Sequence, residues 1–319
     1  MTANVRIVCH RLDNGVRDLL GKEIVERIAV TELDSDADEA ILAGIGAHSL
    51  RRYLPGEILD ALRVFTATRS HVLLLRNLPE QDFPPTPVTG FGVETELAVT
   101  NALHFGLIQL LGLTPFAVRY ENDGRLIRNV VPNPAAAGVT SSWGSDSEFF
   151  WHSDNPNLPF GEPGVDPRLF IPGYLTFFVV RNEERVPTDI MAVEDAVAAT
   201  DPDTLSALRA PDFSVGSAAS NDVDPYGHPY VMTGVPILEF DGQGPLVRFD
   251  RGSSVGLTEP ATAALDRWVA GLTAAPSEQL VMTCGDFLIF DNYRVLHRRG
   301  AFTPNPAASA RWLRRCYAS

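Results

Sequence analysis

An α+β fold is predicted for this chain, with flanking helices around a strand-rich core that fits a double-stranded β-helix, or jelly roll. Three observations lead there. Apolar residues recur at three- and four-residue intervals early in the chain, short β-rich runs dominate later, and a His-x-Asp pair and a distant histidine fall on separate strands.

The elements follow in order. Residues 35–67 have helical spacing, seen in Glu39-Ala-Ile-Leu-Ala-Gly-Ile45 and Pro55-Gly-Glu-Ile-Leu-Asp-Ala-Leu-Arg-Val-Phe65. Residues 72–75 read as a fully buried strand. Residues 94–111 return to helical spacing and stop near Gly112. Runs at 126–131, 175–180, 279–283, 287–290 and 311–316 read as strands, and 191–198 as a helix. Pro134-Ala-Ala-Ala-Gly138 and Pro304-Asn-Pro-Ala-Ala308 read as loops. No linker-like shift in composition divides the chain. Residues 1–319 therefore form one unit in this reading, with a helical N-terminal portion, about 1–70, packed on the β core.

With 45% hydrophobic and 21% charged residues, the composition is that of an ordinary globular protein. A net charge of −14 argues against nucleic acid as a partner, because polyanion binding needs a basic face. Cys9, Cys284 and Cys316 are too few and too scattered for a disulfide scaffold, which points to the cytoplasm. No stretch approaches the ~18 apolar residues that span a bilayer, so no membrane partner is expected.

Chemistry concentrates in Trp151-His-Ser-Asp154. Residues two apart on a strand project from one face, so His152 and Asp154 can reach one ion together. His297 would complete two histidines and a carboxylate on one face of an octahedron, the arrangement that leaves positions open for a co-substrate and dioxygen on Fe(II). Arg311-Trp-Leu-Arg-Arg315 lies close behind. Strand alternation places Arg311, Leu313 and Arg315 on one face, and inward guanidinium groups call for anions. A 2-oxoacid fits, chelating the metal through its keto and C1 carboxylate oxygens while its far carboxylate pairs with Arg311.

These residues, with Val72-Leu-Leu-Leu-Arg-Asn-Leu78, Tyr174-Leu-Thr-Phe-Phe-Val-Val-Arg-Asn182 and Gly285-Asp-Phe-Leu-Ile-Phe-Asp-Asn292, resemble the clavaminate synthase-like branch of Fe(II)/2-oxoglutarate-dependent oxygenases, relatives of taurine dioxygenase. The resemblance runs from about residue 70 to the end and includes a fourteen-residue step from His297 to Arg311. It implies a jelly roll, with Fe(II) on His152, Asp154 and His297, and 2-oxoglutarate on Arg311 and Thr188, the latter in Val186-Pro-Thr-Asp189. It implies further that Arg315 holds a substrate carboxylate. The expected activity is O2-dependent hydroxylation of an unactivated carbon in a free amino acid, such as arginine, asparagine or lysine, or in an amino-acid-derived small molecule, in natural-product biosynthesis.

The chain departs from the family pattern in places. Asp154 stands where many members carry Glu, and either ligates iron. Retention of a carboxylate there argues against a halogenase. In Leu126-Ile-Arg-Asn-Val-Val-Pro132, Arg128 and Asn129 replace a Gln-Asp pair that helps hold the substrate amino group, and they become candidate substrate contacts. Asp146, with Trp143, in Ser141-Ser-Trp-Gly-Ser-Asp-Ser147 is another, or else a loop anchor. That loop and residues 155–172 flank the first metal ligand and read as lids.

Alternatives remain at this level. Thr188 caps a helix if it does not reach the co-substrate. Arg315 points outward if a bulge shifts the alternation. Arg128 reads equally as a solvated charge near Arg125. Desaturation, epoxidation or cyclisation would use the same site. A Zn(II) or Mn(II) hydrolase would use the triad without oxoglutarate or oxygen, leaving Arg311 without a role. A jelly-roll protein that only binds a carboxylate would keep every residue and consume no oxygen. His10, His48, His71, His104 and His228 lack a carboxylate at strand spacing and read as structural.

Overall fold

The computed structural model describes residues 3–33, 38–68, 70–88, 90–133, 147–162, 164–218 and 227–319. Seven strands build the larger sheet: β1 (Ile7–Arg11), β2 (Val72–Arg76), β3 (Pro115–Phe116), β4 (Ile127–Val130), β6 (Tyr174–Arg181), β14 (Phe287–Asp291) and β16 (Trp312–Ala318). Their order is β1-β2-β14-β6-β16-β3, with β4 also paired to β16. A four-stranded sheet joins β13 (Glu278–Leu280), β7 (Thr188–Ala192), β15 (Val295–Arg299) and β5 (Phe149–His152), in that order. Beside it lie the hairpin of β10 (Leu238–Asp241) and β11 (Gly244–Val247), and a three-stranded sheet of β12 (Ser254–Gly256), β8 (Phe213–Gly216) and β9 (Val231–Val235). The helices are α1 (Asn14–Ala29), α2 (Glu39–Tyr53), α3 (Gly56–Val64), α4 (Ala98–Leu110), α5 (Val193–Ala198), α6 (Pro202–Leu208) and α7 (Glu259–Ala274).

Strand alternation explains the layering. Leu73, Leu75, Phe178, Phe287 and Ile289 leave one face of the larger sheet and pack with Leu20, Leu50, Leu62 and Leu103 of α1 to α4. Their neighbours Val72, Leu74, Phe177, Val179, Leu288 and Phe290 leave the other face and meet Ile190 and Val295 of the smaller sheet. The strands of the larger sheet read as unbroken apolar runs because both faces are covered. Beyond the smaller sheet, Trp151, Met191 and Leu296 pack against Trp268 and Leu272 of α7. Each fully buried Leu or Phe in these layers contributes roughly 1.5–3 kcal/mol.

Helices α2 and α4 cross so closely that the contact is backbone on backbone. A Cβ on Gly46 would stand 1.7 Å from the Ala102 carbonyl oxygen, and one on Gly106 would stand 2.6 Å from the Ala47 nitrogen. Only glycine fits at this crossing.

Several elements differ from the sequence expectation. The helix expected over residues 191–198 begins at Val193, because Thr188 opens β7 and pairs with Leu280 of β13. Thr188 is thus a strand residue and no helix cap: pairing on both sides of β7 outweighs a local cap. The strand expected over 279–283 ends at Leu280, where Asp286 accepts from the Thr283 backbone N–H and draws the chain into a turn. Helices α1, α6 and α7 lie outside the expectation, although Thr258 caps α7 by accepting from Ala261 N, with proline in its first turn. Among the described residues, no helix is long and apolar enough to cross a membrane.

Candidate metal centre and its anion pocket

His152 ends β5, and antiparallel pairing with β15 sets His297 directly opposite it. Residues opposite one another on a ladder project from the same face, and the two imidazole centroids lie 4.0 Å apart. Asp154 follows after one residue. Asn292, fully buried, holds that turn: its Oδ1 accepts from Asp154 N at 2.9 Å, and its Nδ2 donates to the carbonyls of Asp154 at 3.1 Å and Pro172 at 3.0 Å.

The ligand atoms of His152, Asp154 and His297 lie within 4.8 Å of one another. Asp154 Oδ1 is 3.4 Å from His152 Nε2 and 3.5 Å from His297 Nε2. Adjacent ligands at ~2.1 Å from a common ion stand about 3 Å apart, so these separations match three adjacent corners of a coordination shell. His152 Nδ1 donates to the Phe150 carbonyl at 2.8 Å, which leaves a bare lone pair on Nε2. That Nε2 is buried without a hydrogen bond among the described residues. The Phe149 ring stacks on the same imidazole, with centroids 3.7 Å apart. Burial, with His152 alongside, pushes His297 down to about 3, so its imidazole is neutral. Burial raises the Asp154 carboxyl, but Arg315 and the two imidazoles outweigh it and hold the group far below the usual carboxylate range. Two imidazoles and one carboxylate, all aimed at one point, fit a divalent cation.

Arg311, Thr188, Arg299, Val130, Phe177 and Leu313 line the cavity against these ligands. Arg311 is 4% exposed, and its buried Nε has no hydrogen-bond partner among the described residues. Burial, then repulsion from Arg299, pushes it down to about 9, against a smaller pull from Glu184. A desolvated guanidinium with no carboxylate on its fork is costly unless an anion arrives.

Arg315 lines the same cavity, but its fork is engaged. Nη1 donates to Asp154 Oδ2 at 2.9 Å and Nη2 donates to Glu121 Oε1. Arg128 lies opposite Arg315 on β4 and donates to Glu121 Oε1 at 3.0 Å, so its hydrogen bond joins it to the metal ligands by way of Glu121 and Arg315. Asn129 is not brought to the cluster. Alternation turns it to the opposite face of the sheet, where it accepts from Trp312 Nε1 at 2.7 Å and Arg314 Nη1 at 3.0 Å and donates to the Gly90 carbonyl at 3.1 Å. Asp146 and Trp143 lie outside the described residues.

Glu121, Tyr317, Asn155 and Asn292 belong to the site without having been singled out by sequence. Tyr317 was accessible to reasoning, since it continues the inward alternation of Arg311, Leu313 and Arg315. Asn292 closes the Gly285 to Asn292 motif. Glu121 carries no local signal, as it sits in a turn before Asn122, whose φ is 60°.

Comparison with known proteins agrees with this geometry. Clavaminate synthase 2 of Streptomyces clavuligerus is 28% identical over 283 residues, covering 85% of this chain and 81% of that protein. L-asparagine oxygenase of Streptomyces coelicolor is 28% identical over 251 residues, covering 77% and 70%. L-lysine 3-hydroxylase of Catenulispora acidiphila is 24% identical over 273 residues, covering 83% and 72%. Among solved structures, asparagine oxygenase with Fe(II), 2S,3S-3-hydroxyasparagine and succinate superposes with a TM-score of 0.79 at 22% identity, over 97% of this chain and 92% of that one. The non-heme iron oxygenase OrfP with Fe and alpha-ketoglutaric acid gives 0.77 at 22%, over 97% and 93%. The family described as taurine catabolism dioxygenase TauD, TfdA matches residues 61–317, and the chain belongs to it as a clavaminate synthase-like oxygenase dependent on Fe(II) and 2-oxoglutarate.

Proposed function

We propose that this oxygenase hydroxylates an unactivated carbon of a free amino acid or an amino-acid-derived small molecule, in natural-product biosynthesis. The observation that carries the co-substrate half of the reading is Arg311, a buried guanidinium with an unpartnered Nε in the cavity of the His152, Asp154 and His297 cluster. The names of the relatives, hydroxylases of lysine and an oxygenase of asparagine among them, support the substrate half. We read the two sheets that face each other across the core as the double-stranded β-helix, in one catalytic unit over residues 1–319.

Iron bound with 2-oxoglutarate and O2 supplies the oxidation: a C–H becomes C–OH while the oxoacid becomes succinate and CO2. In this reading His152, Asp154 and His297 hold the metal. Arg311 takes the far carboxylate of 2-oxoglutarate in a two-pronged pair, and Thr188, on the opposing sheet, adds a hydroxyl. Val130, Phe177 and Leu313 wall this end of the cavity and exclude water from the charged contact. Arg315 has five N–H donors and uses one on each of two carboxylates. The remaining donors on its terminal nitrogens serve a substrate carboxylate, with Arg128 behind it. Asp146 remains a proposed contact from the neighbouring loop. The site then fixes which carbon faces the metal, so regiochemistry is set by position.

The test is anaerobic loading with Fe(II) and 2-oxoglutarate, followed by pooled amino acids and air, with succinate and product mass measured. One pool that raises succinate and yields a product heavier by one oxygen atom supports hydroxylation. Loss of two hydrogens instead identifies desaturation. Succinate that no pool raises above the substrate-free rate overturns the amino-acid reading.

A further inference from the structure

Asp154 presents its two oxygens to different surroundings. Oδ1 faces His152 Nε2 and His297 Nε2, while Oδ2 accepts from Arg315 Nη1 and from the Tyr317 hydroxyl, each at 2.9 Å. Neither donor stands alone. Arg315 Nη2 donates to Glu121 Oε1, which also accepts from Arg128 Nη1. Glu121 Oε2 accepts from Asn155 Nδ2 at 3.0 Å and lies 3.0 Å from the Tyr317 hydroxyl, and Asn155 Nδ2 also donates to that hydroxyl at 2.9 Å. Glu121, at 2% exposed, therefore anchors Arg315 directly and Tyr317 by way of Asn155, whose amide nitrogen donates to both Glu121 Oε2 and the Tyr317 hydroxyl.

We propose that Glu121 is a positioning residue that, through Arg315 and Tyr317, holds Asp154 Oδ2 away from the metal and keeps Asp154 a one-oxygen ligand. This rests on the Fe(II)/2-oxoglutarate assignment of the site.

Coordination positions are the quantity at stake. A six-coordinate metal held by two histidines and one carboxylate oxygen would keep three positions for the co-substrate and O2. A carboxylate free to rotate can bring in its second oxygen and take one of those three. Two donors on Oδ2, one of them charged, oppose that rotation. They also constrain Oδ1, since both oxygens belong to one rigid group. A buried carboxylate such as Glu121 is stable only when paired, and its partners here are the two arginines and Asn155, which also donates to the hydroxyl that serves the metal ligand. Asp154 is one methylene shorter than Glu, so it has less freedom to reach the ion, and the direction of its carboxylate matters correspondingly more.

Glu121→Gln and Tyr317→Phe test the inference, with Co(II) and Fe(II) titrated into metal-free protein and the visible Co(II) spectrum recorded with and without 2-oxoglutarate. Loss of such supporting contacts lowers metal affinity by about 10–100-fold. We expect a loss of that order in each variant, with a Co(II) spectrum altered before oxoglutarate is added. Tyr317→Phe removes one hydroxyl and keeps the ring, so it decides the matter if Glu121→Gln does not fold. Affinity and spectrum unchanged in folded Tyr317→Phe would overturn the proposal. Wild-type protein that binds neither metal would instead overturn the metal centre itself.

Discussion

His297 stands directly across the β15 to β5 ladder from His152, although the two residues are far apart in the chain. Pairing register alone brings their imidazoles to 4.0 Å between centroids and aims both at Asp154. The centre is therefore built on two rigid strands and the turn that follows one of them.

Removing either imidazole removes a third of the proposed ligand set. His297→Ala is expected to lose Fe(II) binding and to drop Fe(II)-dependent succinate formation to background, with the fold kept by circular dichroism. Wild-type succinate formation by a folded His297→Ala protein would refute the metal assignment.

Arg311 makes a prediction of opposite sign for stability and for binding. Replacing a buried charge whose fork meets no carboxylate among the described residues by an apolar residue removes its desolvation cost. Arg311→Met is expected to unfold about 1–4 kcal/mol harder than wild type without ligand. It is also expected to lose the stabilisation by 2-oxoglutarate, which for wild type reaches about 2.7 kcal/mol at a hundredfold excess over Kd. Thermal melts with and without metal and oxoglutarate read both effects. A destabilised apo-variant that keeps the ligand shift would mean Arg311 serves the fold.

His104 gives the stability a pH dependence away from the metal. Its ring is completely buried on α4, Nε2 is 2.7 Å from Thr176 Oγ1, and burial, with Arg314 adding to it, pushes the pKa down from 6.5 to about 3. The unfolded chain therefore binds the proton more readily than the folded one between those values. This contribution is complete above about pH 6.5 and is lost progressively as pH falls toward 3, by roughly 2–3 kcal/mol at pH ~4.5. Urea unfolding at pH 7 and at mildly acid pH should show a steeper fall for wild type than for His104→Phe. Equal falls would place the acid sensitivity elsewhere.

Gly46 tests the helix layer. Ala102 O occupies the place of a Cβ at that position, so Gly46→Ala must push α2 off α4, at a cost of about 1–3 kcal/mol or more. Gly44, where an added Cβ would meet nothing within 4 Å, is the control, and Gly44→Ala is expected to be neutral or stabilising. Equal melting temperatures for the two variants would contradict the close crossing.

The sequence by itself determined what depends on short range. The two-residue strand period turned Arg311, Leu313 and Arg315 inward together, the closeness of His152 and Asp154 in the chain kept them within reach of one ion, and apolar spacing marked α2, α3 and α4. These follow from local backbone geometry, which the order of residues specifies directly. Only the tertiary structure decided what depends on register between distant strands. It placed His297 opposite His152 and left Arg311 buried with an unpartnered Nε. It turned Asn129 toward Trp312 and Arg314 and made Thr188 a strand residue. It also recruited Glu121 from an unpatterned turn, because a buried carboxylate takes the arginines that folding brings to it, and their positions are set by the packing of the sheets and not by neighbours in the chain.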